Sequence, residues 1–143
     1  KPTLRRVPKE YTARHLDPVA VQLLNRVLKE TNAQVVISSA WRKLRLDDTG
    51  VSLIELLAIG GLVMDVVGET PYVVTPCEGY AIGKCIRGNE IQAWLDTNKF
   101  TGTFAIVDDS DDMAHLSHRL VRTSWELGLC EFEAGLLKKM LLE

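Results

Sequence analysis

Cysteine is scarce in this sequence: three residues in 143, at Cys77, Cys85 and Cys130, with no Cys-x-x-Cys pair. An odd count at wide spacing makes a poor disulfide framework, so the chain reads as a reduced, cytoplasmic protein. Long apolar runs are missing as well. The most apolar stretch, Val51 to Val67, is broken by Ser52, Glu55, two glycines and Asp65, which excludes an uninterrupted membrane span, and the N-terminus carries no apolar signal-peptide segment. Neither charge sign dominates: 17 Lys and Arg stand against 19 Asp and Glu, and a formal charge of −2 argues against non-specific coating of nucleic acid. Gly79, Gly83 and Gly88 make neither a Gly-x-Gly-x-x-Gly nor a Walker A loop. Internal repeats, low-complexity tracts and a convincing linker are also lacking.

What is present suits one core: 46% hydrophobic residues in 143 positions. Residues 1–15 read as an irregular basic lead-in, with Lys1, Arg5, Arg6, Lys9 and Arg14 against Glu10, and residues 16–143 as the domain. Asp17-Pro18 predicts a helix start, because Asp caps well and Pro needs no N–H in the first turn. Val21, Leu24, Val27 and Leu28 follow at helical spacing, and Asn32 is the expected left-handed stop. Val35-Val36-Ile37 has the β-branched pattern of a buried parallel strand ending at Ser38-Ser39.

The apolar content of Val51 to Ile59 predicts a second helix closed by Gly60-Gly61, and Val63 to Val67 a short strand. Gly88-Asn89 opens a further helix with Ile91, Trp94 and Leu95 on one face. Phe104 to Val107 is the next strand, running into Asp108-Asp109, and Leu120 to Thr123 the last. A C-terminal helix over Glu131 to Leu142 is expected to set Phe132, Leu136 and Met140 on one side, with Lys138 and Lys139 favourable to its dipole. Strands alternating with helices predict an α/β three-layer sandwich around a mostly parallel sheet.

In such sheets ligands bind beyond the carboxyl ends of the strands, which selects Ser38-Ser39 and Asp108-Asp109. Asp108, Asp109, Asp111 and Asp112 put four carboxylates in five positions, and such a group repels itself unless a cation or solvent relieves it. Mg²⁺ suits it, since that ion takes one or two carboxylates and keeps waters and substrate phosphate; the alternative is an acidic turn that caps the next helix. Ser38 is a candidate phosphate ligand, with Ser39 beside it, or else a turn residue. Arg42 and Arg87 suit bidentate phosphate contacts and Lys84 a less directional one, unless each is a surface charge. His115 and His118 share a helix face, but no third His or Cys arrives at zinc-ligand spacing.

Read together, LDPVAVQLLNRVLKETNAQVVISSAWR, RGNEIQAWLD, FAIVDDSDDM and RLVRTSWELGL resemble the haloacid dehalogenase (HAD) superfamily, in particular the HAD domains associated with phage and bacterial RNA-repair proteins. The resemblance implies a Rossmann-like sheet and a Mg²⁺-dependent phosphomonoester hydrolase acting on nucleotides or nucleic-acid ends. It assigns the hydroxyl role to Ser38, the basic role to Arg87 with Lys84 in reserve, and the metal-binding role to Asp108 and Asp109; Ser39, Arg42 and Asp112 are secondary candidates.

The family's first motif, an apolar strand ending in Asp-x-Asp, has no counterpart before Leu16; Asp109-Ser110-Asp111 belongs to the last motif. Since that strand occupies the middle of the family's sheet, the expected central strand is missing or replaced, and two buried edges need a partner. A longer natural N-terminus, Thr3 to Val7, a second copy or a partner chain are the expected remedies. The chain as it stands is expected to lack the nucleophile and its activity. The competing expectation is a non-catalytic HAD-like module that binds a phosphate-bearing ligand or a protein partner.

Overall fold

The computed structural model of the chain describes residues 17–38, 45–46, 51–52, 57–58, 60–73, 86–124 and 126–143. Helix α1 (Pro18–Thr31) begins at the expected cap: Asp17 is extended and its carboxylate accepts the Val19 N–H at 2.9 Å. It stops at Asn32, whose φ of 55° takes the chain through the left-handed region. Val21, Val27 and Leu28 are its buried residues, so the apolar spacing is used. The exposed side is also tied down. Asn25 donates to the Gly61 carbonyl at 2.7 Å and accepts the Val63 N–H at 2.9 Å, which pins the turn ahead of the next strand.

Strand β1 (Val35–Ile37) follows, then a small antiparallel pair of β2 (Arg45–Leu46) and β3 (Val51–Ser52). Val51 and Ser52 therefore do not start the helix expected over Val51–Ile59; only Leu57 and Ala58 are helical among the described residues of that stretch. A short apolar run cannot separate strand from helix by itself, and the pairing of Val51 opposite Leu46 decides it here. Strand β4 (Val66–Glu69) lies parallel to β1 with Ile37 opposite Glu69; it starts later and runs further than the expected Val63–Val67.

Helix α2 (Ile86–Thr97), strand β5 (Ile106–Asp108), a 3₁₀ helix over Ala114–Arg119, strand β6 (Leu120–Arg122) and helix α3 (Glu131–Leu141) complete the chain. β5 and β6 pair in parallel, Asp108 opposite Arg122. Their alternating side chains serve two clusters. On one side Ile106 joins Ile91 and Leu95 of α2 with Met113 and Leu116. On the other, Val121 joins Val27 of α1 with Ala134 and Leu137 of α3. Met113 and Val27 are the most deeply buried large side chains, and each contributes about 1.5–3 kcal/mol by leaving water.

Helix α3 turns a different side to the core from the one its sequence suggests. Ala134 and Leu137 are buried, whereas Phe132 is 73% and Leu136 42% exposed. The helix carries apolar residues around most of its circumference, and the small Ala134 is the one that packs with Val27 of α1. Across the rim of this contact Arg26 pairs with Glu131, and Glu30 with Lys138.

The architecture is α/β with short parallel strand pairs, β1 with β4 and β5 with β6. Among the described residues no strand joins the β1–β4 pair to the β5–β6 pair, so they show two small parallel pairs and not the one continuous sheet of the expected three-layer sandwich. No described helix is long and apolar enough to cross a membrane.

Candidate functional site

The first turn of α2 sits against the acidic segment that follows β5. The Arg87 N–H points at Oδ2 of Asp112 at 3.3 Å, and the Gly88 N–H donates to the Asp112 carbonyl at 2.9 Å, so two of the helix's orphan donors are met from a distant part of the chain. That approach requires glycine: a Cβ on Gly88 would lie 2.1 Å from the Met113 carbonyl oxygen. Further along, the helix meets β4, where a Cβ on Gly68 would come within 2.9 Å of the Trp94 indole nitrogen. One helix thus packs on both strand pairs.

Asp108 ends β5 in the middle of this contact. Its Oδ1 accepts the Ser110 N–H at 2.9 Å, and its Oδ2 lies 3.6 Å from Arg87 Nε. Burial pushes the Asp108 carboxyl above the ordinary carboxylate range; the Ser110 N–H and Arg87 act against this, and a side-chain hydrogen bond with neighbouring Asp109 adds to it. Arg87 reaches a second carboxylate as well, with NH1 3.6 Å from Glu90 Oε1. Its Nε is buried and, with Asp108 at 3.6 Å, makes no hydrogen bond. Glu90, only 4% exposed, accepts the Val73 N–H at 3.3 Å and so connects α2 to the loop beyond β4.

The other strand pair presents hydroxyls. Ser38 leaves β1, and the Thr70 N–H donates to the Ile37 carbonyl at 2.8 Å, which closes the last paired step, Ile37 opposite Glu69; the same register continued by one residue puts Thr70 opposite Ser38. The carboxyl ends of β4 and β5 then converge on the start of α2, one through Val73 and Glu90, the other through Asp108 and Arg87.

Of the residues singled out from sequence, Arg87, Asp108, Asp109 and Asp112 come together, and Ser38 lies on the adjoining strand pair. Lys84, Ser39 and Arg42 lie outside the described residues. Both oxygens of Asp112 are engaged, Oδ1 by the Ser110 hydroxyl at 2.7 Å, so it positions the segment and caps α2. The acidic run therefore caps an earlier helix, whereas the 3₁₀ helix after it starts at Ala114, and Met113 before it provides no side-chain cap. His115 is bonded to Gln92 at 2.7 Å and His118 to the His115 carbonyl at 3.0 Å. No group of three or more His, Cys, Asp or Glu able to hold a metal occurs among the described residues.

Sequence reasoning missed Glu90, Thr70 and Arg122. Arg122 closes β6, donates to the Asp109 carbonyl at 3.1 Å and approaches Asp111 at 3.7 Å, a second guanidinium beside the acids. A cleft of about 260 Å³ between Phe104, Arg119 and Glu143 lies at the other end of β5. There Arg119 is committed to the Phe104 and Met140 carbonyls and to Glu143, with its guanidinium 5.7 Å from the Phe104 ring centroid, and serves as a structural lock.

No curated protein and no solved structure matches this chain. A family model described as the HAD domain in Swiss Army Knife RNA repair proteins matches residues 1–134. With short parallel strands set among helices and a match over nearly the whole sequence, the chain belongs to that family of HAD domains.

Proposed function

We propose that the rim formed by Ser38, Arg87, Asp108 and Asp109 binds a phosphate monoester, at a nucleotide or a nucleic-acid end, and belongs to a Mg²⁺-dependent phosphatase. The observation that carries this reading is the position of Arg87: a largely buried guanidinium beside the end of β5, with an Nε that makes no hydrogen bond and two flanking carboxylates that fix its direction. Family membership supports the HAD-like domain, and the phosphate chemistry rests on the site.

The donor chemistry suits Mg²⁺ with one or two protein carboxylates. Asp108, whose ionised form is disfavoured by burial and by Asp109, gains from a nearby cation, and exposed Asp109 is the second donor. Bound there, Mg²⁺ would supply positive charge to the phosphoryl oxygens. The chain's own residues bind and orient: Arg87 takes two oxygens of the phosphoryl group, Ser38 offers a hydroxyl, and Asp112 with Ser110 holds the acidic segment against α2. The attacking carboxylate of the family route is not among these residues.

A non-catalytic phosphate-binding module is the second reading. It is favoured by one feature, the pairing of Asp108 with Arg87, which organises an anion site without a metal. An assay of the full-length protein with Mg²⁺ and a phosphorylated oligonucleotide separates the two. Turnover that disappears in Asp108→Asn and Arg87→Gln supports the phosphatase; binding without turnover supports the module. Turnover unchanged in Asp108→Asn ends the assignment of the acidic motif.

A further inference from the structure

Thr70 is 3% exposed, and its hydroxyl is buried without a hydrogen-bond partner. Leaving such a group unsatisfied is unfavourable, because it gives up its bond to water for nothing. Valine has nearly the same shape and would fill the same space without that penalty. The hydroxyl therefore calls for a role that packing does not supply.

Its location indicates one. The Thr70 N–H bonds to the Ile37 carbonyl, and the register that sets Ile37 opposite Glu69, continued by one residue, sets Thr70 opposite Ser38; side chains of residues opposite one another share a face of the sheet. Both leave the carboxyl end of their strands. Three residues on, the Val73 N–H is held by Glu90, which in turn flanks Arg87. The unpaired hydroxyl thus stands at a strand end that a chain of contacts, Val73 to Glu90 to Arg87, ties to the guanidinium.

We infer that Thr70 is a further ligand-contacting residue, donating its hydroxyl to an oxygen of the bound phosphate group or of the ester next to it, alongside Ser38. This rests on the phosphate-site reading above and adds to it a second hydroxyl, from the neighbouring strand. A hydroxyl can donate to an anionic oxygen or accept from a sugar hydroxyl, so the class of ligand is a phosphorylated alcohol such as a nucleotide end.

The test is inorganic phosphate binding in the presence of Mg²⁺, read by calorimetry and by thermal shift on the intact chain, for wild type, Thr70→Val, Thr70→Ser and Arg87→Gln. Thr70→Val is expected to match or exceed the wild-type Tm without phosphate and to bind phosphate about tenfold more weakly, whereas Thr70→Ser keeps wild-type affinity. A lower ligand-free Tm for Thr70→Val means that the hydroxyl has an internal partner and overturns the inference. Unchanged phosphate affinity in Thr70→Val, or equal loss in Thr70→Ser, overturns it too; if Arg87→Gln still loses binding in that case, the phosphate site itself stands. Absence of phosphate binding in wild type removes the site reading and the role of Thr70 together.

Discussion

Nε of Arg87 lies 3.6 Å from Oδ2 of Asp108, and the two side chains are 18% and 17% exposed. At this depth a charge without its partner is costly, so the pair is organised around mutual need more than around net attraction. Arg87→Gln removes the guanidinium that both Asp108 and Glu90 approach. The expected result is a loss of about 1–3 kcal/mol in denaturant unfolding, less than for a fully buried pair because some solvent reaches the site. For the proposed phosphatase activity the same change is expected to lower turnover by about 10²–10³-fold, the usual effect of removing one donor to a developing oxyanion. Wild-type turnover in this variant would exclude Arg87 from phosphate binding.

Asp108→Asn is expected to move stability in the opposite direction. Burial and Asp109 raise the Asp108 carboxyl above its ordinary value of 3.8, so the folded state binds this proton more tightly than the unfolded chain does. The associated stability is present below the ordinary carboxylate range and is lost as pH rises through the raised value. At neutral pH the ionised form is therefore a burden that asparagine removes. Melting curves should show the variant above wild type at pH 7, with the gap closing in acid; a lower Tm at pH 7 would show that Arg87 outweighs burial.

Glu30, at the contact of α1 with α3, provides the opposite sign. Its hydrogen bond to Lys138 holds the carboxyl below the ordinary value of 4.5, and Arg26 adds to this. Such stability is present above the ordinary carboxylate range and is lost as pH falls through the lowered value. Glu30→Gln should lower Tm slightly at neutral pH and low salt, and the difference from wild type should vanish in acid and shrink at high ionic strength, because the pair is solvent-exposed.

Gly88→Ala tests the packing of α2 on the acidic segment. Alanine in a helix usually gains about 0.5–1 kcal/mol over glycine. Here its methyl group meets the Met113 backbone, which cannot rotate away. A net loss of about 1–3 kcal/mol is expected in urea unfolding, with weaker phosphate binding because Arg87 is the preceding residue. A stabilised Gly88→Ala protein would mean that the helix and the segment are not in contact.

Much of this was legible in the residues alone wherever the signal is local. Asp17-Pro18 and Asn32 bracket α1 because caps and left-handed stops depend on one or two side chains. The strand-end rule led to Asp108 from the apolar run before it. It failed at Thr70 because β4 runs to Glu69, two residues beyond the expected end at Val67, so the strand end was sought in the wrong place. Glu90 was missed because a glutamate three positions after an arginine on a helix ordinarily faces water, and its burial depends on the loop around Val73. The exposed Phe132 and buried Ala134 were illegible for a similar reason: the approach of α1, not hydrophobicity, selects which side of α3 is covered.

The contacts of α2 with both strand pairs tie the two pairs to one rigid element. A rod of 12 residues, about 18 Å long, bears on β4 through Trp94 and on the acidic segment through Gly88. The two strand pairs are therefore spanned by a stiff beam instead of by pliable loops, with the Trp94 indole against Gly68 at one bearing and the Met113 backbone against Gly88 at the other.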